Sequence, residues 1–232
     1  MVTEGLPPDG ARPFALLGQA VAPLGLCLRG GFTLTEADGL GTGCLVLVGS
    51  VGSALWQVAP SQFRAVADPL DDWTQRVMDP LAAQWGAQVL YPFSGPPFYP
   101  FQRWLQRAMG LHPSPAGLLM DPVYGLWHAV RAALILPMPW PGPSPVVLPS
   151  PCESCRDRPC LSACPVQAIT PAGPLPGRCA AELTGPDRGG CVAAGCLARR
   201  ACPVGQGQCY SPVQQAFHQQ AFLRLMAQAT VS

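Results

Sequence analysis

Apolar and polar residues follow one another along the first 110 residues in a pattern that predicts both strands and helices. Residues 43–49 form a short apolar run bounded by glycines, which is typical of a strand buried on both faces and central to a sheet. Residues 71–85 place apolar side chains four residues apart and predict a helix, which Pro80 must kink or restart. Residues 88–93 predict a further strand, and residues 100–109 a further helix.

Aromatic and aliphatic residues recur at helical spacing in these helices. The side chains expected to face inward are Trp73, Val77, Leu81 and Trp85, then Phe101, Trp104, Leu105 and Ala108. Arg103 and Arg107 are expected to face outward. We interpret the aromatic residues as core, because an apolar helical stripe mostly reports packing. A last helix is predicted over residues 212–229, with Phe217, Ala221, Leu225 and Met226 on the face that covers the cysteine-rich part.

Composition and charge exclude several classes of protein. The chain has 232 residues, of which 49% are apolar, so it can bury a sizeable core in one or two domains. A net charge of +1 is too small for a nucleic-acid footprint. The first thirty residues lack the pattern of a secretory signal, and the most apolar stretch, residues 125–143, is interrupted by charges and prolines. We therefore expect a cytoplasmic protein without a membrane span.

Prolines between residues 137 and 151 predict a stiff, extended connector. This connector divides the chain into a predicted α/β domain, residues 1–149, and a predicted cysteine-rich module, residues 150–232.

The cysteines carry the clearest chemistry, since nine of the eleven lie in the last third of the chain. Residues 152–165 have the spacing C-x2-C-x4-C-x3-C-P, which is two residues longer in its middle gap than the bacterial ferredoxin run that binds iron–sulfur clusters. In a reducing compartment such a dense pattern favours metal over disulfides. The run therefore indicates an iron–sulfur protein in electron transfer.

Two Cys-Pro pairs, at Cys164 and Cys202, indicate two 4Fe-4S clusters. In two-cluster ferredoxins the fourth cysteine of each run ligates the other cluster. Cluster one is then expected to take Cys152, Cys155, Cys160 and Cys202, and cluster two to take Cys164, Cys179, Cys191 and Cys196. Cys27, Cys44 and Cys209 are left over, and we expect the first two to be small buried core residues.

Two other metal assignments remain open from the spacing alone. A single cluster with spare cysteines is one, and structural zinc is the other, although zinc sites favour two C-x2-C pairs and the chain has one, Cys152 and Cys155. Arginines flank the ligands at positions 156, 158, 199 and 200. Each of these arginines either raises the reduction potential of a nearby cluster or is an ordinary solvated charge.

Residues 150 to about 212 resemble the C-terminal two-cluster module of the epoxyqueuosine reductases. The resemblance lies in the first cysteine run, in Arg178-Cys179 followed by Leu183-Thr184, and in the closing Cys202-Pro203. It implies that Cys179 ligates cluster two. The chain has two extra residues before Cys160 and five rather than three before Cys202, which leaves Cys191 and Cys196 as alternatives for one ligand position.

Residues 121–137 are similar to a segment of the vitamin B12-processing proteins of the cobalamin C type, and residues 44–50 and 68–71 follow the order of that family. This resemblance implies an α/β (α+β) fold: a nitroreductase-like sheet-and-helix domain that binds a corrinoid or flavin, fused to a small ferredoxin-like two-cluster module. A low-potential donor held near such a cofactor makes chemical sense, because the protein's task is to position one centre against the other.

His128 and Arg131 are the candidate cofactor-binding residues of this segment. On a helix they would share a face toward an anionic cofactor, whereas on a strand they would point to opposite sides. Asp121 stands where the family has a histidine, and a partly buried His128 satisfied by local hydrogen bonds is the competing interpretation.

Two functions follow from these residues. In the first, the protein is an oxidoreductase that reduces or uses a corrinoid and receives electrons through its clusters from a redox protein. In the second, it is a ferredoxin-like electron carrier without a catalytic site of its own.

Overall fold

The structure is a computed structural model that describes residues 10–185 and 190–229. It divides into two compact units. The sheet unit consists of Met1–Gly110 and Ala129–Val147, and the cysteine unit of Leu111–His128 and Leu148–Ser232. The predicted domain boundary between residues 149 and 150 stays a prediction, and the cysteine unit also takes in a segment that precedes the proline-rich connector.

The secondary structure alternates short strands and helices. The strands are β1 (Cys27–Thr33), β2 (Cys44–Val51), β3 (Gln88–Leu90), β4 (His112–Pro113), β5 (Leu119–Met120), β6 (His128–Leu136), β7 (Ile169–Thr170) and β8 (Gly173–Pro174). The helices are α1 (Arg12–Val21), α2 (Pro69–Gln84), α3 (Phe101–Met109), α4 (Pro151–Ser154), α5 (Pro159–Ser162), α6 (Pro176–Thr184), α7 (Cys191–Ala194), α8 (Leu197–Arg200) and α9 (Pro212–Ala229). Short 3-10 helices within the described residues lie at Ala22–Leu24, Glu36–Asp38, Leu55–Gln57, Ala59–Gln62 and Gln206–Gln208.

The sheet unit is built on a four-stranded sheet with the order β1-β2-β6-β3. Strand β2 lies inside this sheet and its residues 44–50 are all buried, which confirms the predicted central strand. β1 pairs antiparallel with β2, and β3 pairs antiparallel with β6. The register of β1 shifts between Leu28 and Gly31, at a bulge where Gly30 has a φ of +79°. A Cβ at Gly30 would lie 2.9 Å from the Ala108 carbonyl oxygen, so both the backbone conformation and the close approach of α3 require glycine there.

The predicted helices of the sheet unit are present. In α3 the four residues expected to face inward are buried, and Arg103 and Arg107 are exposed as predicted. Trp73 and Leu81 are buried in α2, whereas Val77 and Trp85 are only partly buried. The helix continues through Pro80, so the expected restart is wrong and the alternative of a kink stays a prediction. A proline deprives the helix of one hydrogen bond, and the buried side chains before and after Pro80 hold the two parts in one helix.

The strand predicted over residues 88–93 is shorter, because β3 ends at Leu90. Tyr91 instead turns its hydroxyl to Asp79 of α2 and donates a hydrogen bond of 2.5 Å to Oδ1. Burial and this bond raise the pKa of Tyr91. The side-chain contact thus fixes the chain where strand pairing stops.

In the cysteine unit, α9 packs against α6 and α7, so the predicted C-terminal helix does cover the cysteine-rich part. Its predicted face is wrong in detail: Leu225 is 63% exposed, and the most deeply buried side chains are Gln214 and Gln215. The Gln215 amide donates a hydrogen bond to the Tyr210 carbonyl, which satisfies its buried N–H. In the part of the chain that the structure describes, no helix has the length and apolarity that a bilayer span requires.

Candidate metal centre

Short proline-started helices position the cysteines of the first run. α4 begins at Pro151 and α5 at Pro159, and a proline in the first turn is favourable because its missing N–H would have no partner there. Ser150 caps α4 by accepting a hydrogen bond from the Cys152 amide at 3.3 Å. Arg158 has a φ of +40°, and this reversal starts α5 one residue before Cys160. These turns fold a run of fourteen residues back on itself.

The thiols of Cys152, Cys155, Cys160 and Cys202 form one group, which we call the first quartet. Burial is the largest cause of the raised pKa of Cys202, and repulsion from the other three thiolates raises it further. Burial likewise raises the pKa of Cys160, with added repulsion from Cys152 and Cys155. Groups that repel one another in this way share a neighbourhood, although Cys202 lies far along the chain from the other three.

The thiols of Cys164, Cys179, Cys191 and Cys196 form a separate group, the second quartet. Burial and repulsion from the other three raise the pKa of Cys179 to about 11. The pKa of Cys191 is raised by burial and by repulsion from Cys196 and Cys164. The Ala168 amide donates a hydrogen bond of 3.2 Å to the Cys164 Sγ. Cys164 thus stands with the later cysteines and not with the run to which it belongs in sequence.

The structure therefore brings together the same two sets of four that the Cys-Pro pairs predict. Their role as ligands stays a prediction. Among the described residues, no three histidine, cysteine or carboxylate side chains converge as ligands of a metal ion do. What the structure gives is two separate groups of four thiols.

The three remaining cysteines lie outside both quartets. Cys44 is 0% exposed in β2, as expected of a core residue, and burial raises its pKa to about 11. Cys27 is only partly buried, so the expectation of a fully buried core residue is wrong for this position, which begins the edge strand β1. Cys209 is partly buried, and its electrostatic neighbours are Arg200 and Arg199.

A cavity of about 480 Å³ within the cysteine unit opens beside the first quartet. All four of its cysteines line this cavity, together with the hairpin of β4 and β5. Met120 and Leu126 form a buried apolar cluster with Cys202, and Cys152 packs against that cluster. One wall of the cavity is thus apolar, and another is formed by thiols.

A turn after β5 holds this wall in place. The Asp121 carboxylate accepts hydrogen bonds from the Val123 and Tyr124 amides, at 2.8 and 2.9 Å. Gly125 follows with a φ of +59°, and its Cα approaches the Val204 carbonyl so closely that a Cβ would clash with it. The signal for this turn, Asp-Pro-x-x-Gly, was visible in the sequence. Nothing in the sequence pattern indicated that the turn packs against Cys202, and this part of the site was missed.

The four flanking arginines differ sharply in their surroundings. Arg156, Arg158 and Arg200 are exposed, and Arg158 lines the cavity. Arg199 is partly buried: its guanidinium lies 4.3 Å from the Trp127 ring centroid and 4.6 Å from that of Tyr210. Burial lowers the pKa of Arg199, and the neighbouring Tyr210, Cys196 and Cys209 offset part of that effect.

The two candidate cofactor-binding residues lie on β6, where their spacing directs the side chains to opposite sides. His128 Nε2 is hydrogen-bonded to the Leu119 carbonyl at 2.9 Å. Arg131 Nη2 donates to Asp71 Oδ1 at 2.5 Å and to Thr74 Oγ1 at 2.9 Å. Both side chains have partners within the protein, and their role in binding a cofactor stays a prediction.

Comparison with known proteins extends this picture at the level of fold. No protein-family model matches the sequence, and no curated protein matches it either. The fold is similar to the crystal structure of the C. elegans B12-trafficking protein CblC, a homologue of human MMACHC. The TM-score is 0.55 at 15% identity, over 90% of this chain and 91% of that chain. This likeness confirms the expected mixed helix-and-sheet fold.

Structures of epoxyqueuosine reductase are also among those of similar fold. One, in complex with a modified tRNA-Tyr stem loop, has a TM-score of 0.45 at 16% identity, over 73% of this chain and 50% of that chain. The enzyme from Bacillus subtilis has a TM-score of 0.44 at 15% identity, over 88% of this chain and 60% of that chain. The chain thus spans about half of the first of these enzymes. Both families that the sequence resembles are represented among its structural neighbours.

Proposed function

We propose that the protein is an iron–sulfur redox protein whose two quartets each hold one 4Fe-4S cluster. In this proposal cluster one is held by Cys152, Cys155, Cys160 and Cys202, and cluster two by Cys164, Cys179, Cys191 and Cys196. The observation that carries the proposal is the separation of eight thiols into two groups of four, with Cys164 and Cys202 exchanged between the runs. That exchange is how two-cluster ferredoxins distribute their ligands.

The residues present fit such clusters. Thiolates are soft ligands that select iron–sulfur clusters, zinc or Cu(I) over hard cations. Each quartet offers four thiols, which is the number of protein ligands that a 4Fe-4S cluster takes. The Ala168 N–H donated to Cys164 is the kind of bond that stabilises a cluster thiolate.

The cavity beside the first quartet supports a path for electrons into or out of cluster one. Its apolar wall, with Met120 and Leu126, keeps water away from the thiols, and its opening lets another redox group approach them. We propose that cluster one exchanges electrons on this side. When bound, the clusters supply single electrons at low potential, and the chain's own residues hold, desolvate and charge-balance them.

The electron acceptor in this proposal is a corrinoid, or alternatively a flavin, bound by the N-terminal domain. Its support is the fold shared with CblC, a B12-trafficking protein. A redox protein of the cytoplasm would supply the electrons. If no such cofactor binds, the protein is a ferredoxin-like electron carrier, and the exposed surface around Arg156 and Arg158 is where its partners would meet cluster one.

Anaerobic iron and sulfide analysis of the purified or reconstituted protein tests the clusters. We expect about eight iron and about eight acid-labile sulfide per chain for two four-iron clusters. Four of each would indicate the single-cluster alternative, and zinc without sulfide would refute the proposal.

A titration with hydroxocobalamin and, separately, with FMN then distinguishes the two functions. A saturable change in the visible spectrum, followed by reduction of the bound cofactor by the reduced clusters, supports the oxidoreductase. A protein with full clusters that binds neither cofactor is the electron carrier.

A further inference from the structure

Arg199 is the flanking arginine whose surroundings differ most from those of a solvated charge. Its guanidinium lies against the rings of Trp127 and Tyr210, and its Nη2 donates a hydrogen bond of 2.5 Å to the Leu126 carbonyl. These contacts hold the group in one position. They supply no negative charge, however, and an unpaired buried charge is costly.

The groups that stabilise the charge of Arg199 are a tyrosine and two thiols. Among the described residues it forms no salt bridge with a carboxylate, and the groups that stabilise its charge are Tyr210, Cys196 and Cys209. Its Nε is buried and has no hydrogen-bond partner in the described part of the chain. A buried N–H without an acceptor indicates that a group is missing beside it.

Helix α8 explains why Arg199 faces Cys196. Cys196 is the N-cap residue of α8, and Arg199 follows three residues later, so the two lie on the same side of a single turn. The Arg200 amide donates to the Cys196 carbonyl at 3.0 Å and fixes this turn. Arg200 itself lies on the opposite, exposed side and donates its Nη1 to the Ala194 carbonyl.

We propose that Arg199 sets the reduction potential of cluster two, because its partly buried positive charge stabilises the reduced cluster and so raises that potential. This inference rests on the proposed function. A cluster held by four thiolates is negatively charged and gains one further negative charge on reduction. A fixed cation in a desolvated setting therefore favours the reduced form more than the oxidised one, whereas the exposed charge of Arg200 is screened by water.

A carboxylate acts on the same cluster in the opposite direction. Glu182 follows Cys179 by three residues on α6 and repels the thiolates of Cys179 and Cys191. It is partly exposed, so water screens part of its effect. Replacing Glu182 should raise the potential that replacing Arg199 lowers. The two charges thus predict shifts of opposite sign at one cluster.

Redox titration of the holo-protein followed by EPR tests the assignment. The midpoint of cluster two is identified as the one that survives in Cys202→Ala. At the wild-type midpoint of that cluster, Arg199→Gln should reduce the ratio of reduced to oxidised cluster about tenfold, which is about 59 mV for a one-electron couple. For cluster one, the ratio of reduced to oxidised cluster at its own wild-type midpoint should change less than threefold. Arg200→Gln is the matched control and should change both ratios less than threefold.

A charge-preserving variant separates charge from packing. Arg199→Lys keeps the cation but loses the planar stack on Trp127 and Tyr210. At the wild-type midpoint, the ratio of reduced to oxidised cluster two in Arg199→Lys should stay within threefold of the wild-type ratio. A tenfold fall in Arg199→Lys would overturn the inference, and this test remains available if Arg199→Gln fails to hold iron. Full iron content with both midpoints unchanged in Arg199→Gln would also overturn it. A wild-type protein without iron and sulfide would instead refute the proposed function, which is a separate result.

Discussion

Replacement of Cys202 by alanine tests the crossed assignment most directly. Cys202 is 5% exposed and lies at the end of the chain's last Cys-Pro pair, about fifty residues from its partners Cys152 and Cys155. If it completes cluster one, its loss leaves three thiols around a cavity that is open to water. An alanine also leaves the apolar cluster of Met120 and Leu126 intact, so the fold itself should change little.

The expected magnitude follows from the membership of the quartets. Eight thiols in two groups of four bind about eight iron, so a variant that loses one cluster should retain about four. Removing one sulfur atom from the buried site should cost about 1 kcal/mol of packing, which is too little to unfold a domain of this size. A fall to four iron would therefore report on ligation and not on unfolding.

The assay is anaerobic iron and sulfide determination combined with EPR of the reduced protein. Cys209→Ala is the matched control, because Cys209 lies outside both quartets, and it should retain about eight iron. Cys164→Ala should also retain about four, but with the EPR signal of the other cluster. In an uncrossed arrangement Cys164 would belong to the same cluster as Cys152. Cys164→Ala and Cys152→Ala would then abolish the same EPR signal, and that result would refute the crossed assignment.

Three further predictions concern other parts of the molecule. Because burial raises the pKa of Cys44 from 9.0 to about 11, its stabilising contribution is present below pH 9 and is lost as pH rises to 11. Between pH 9 and pH 11 the free energy of unfolding should therefore fall by about 2 to 3 kcal/mol more in the wild type than in Cys44→Ala. An equal fall in the two proteins, measured by denaturant unfolding at each pH, would contradict this. Arg131→Met should lower the free energy of unfolding in urea by about 2 kcal/mol, because it leaves Asp71 without its partner. Arg103 is exposed, so the control Arg103→Met should change this free energy by less than 0.5 kcal/mol. Equal changes in the two variants would refute the structural role of Arg131. Ala116→Trp should fill part of the cavity and slow electron transfer from the reduced protein to hydroxocobalamin about tenfold at unchanged iron content, and an unchanged stopped-flow rate would show that electrons leave elsewhere.

The elements that the sequence predicted well are those whose pattern is set by burial alone. Strand β2 is buried along residues 44–50, so a continuous apolar run was sufficient to identify it. Helix α3 has one apolar face and one charged face, so its spacing was unambiguous. The α2 helix was harder, because the local cost of Pro80 suggested a break that tertiary packing overrides.

Other features depend on contacts that no local pattern records. In α9 the apolar spacing suggested that Leu225 faces inward, but the helix buries Gln214 and Gln215 instead. A buried amide is acceptable there because Gln215 can donate to the Tyr210 carbonyl. The distinction between Arg199 and Arg200 was equally out of reach, since two adjacent arginines look alike in sequence and only the turn of α8 assigns one to the interior.

The domain boundary predicted from the proline-rich connector differs from the boundary between the two packed units. Residues 137–150 contain neither helix nor strand, which agrees with the density of prolines there. The cysteine unit nevertheless includes Leu111–His128, which the chain supplies before β6 carries it through the sheet. Leu126 and Trp127 of this segment contact Arg199, and Gly125 approaches Val204 just beyond Cys202. The surroundings of both quartets therefore depend on residues from either side of the connector, and a fragment that began at the connector would keep all eight cysteines of the quartets while losing Leu126 and Trp127.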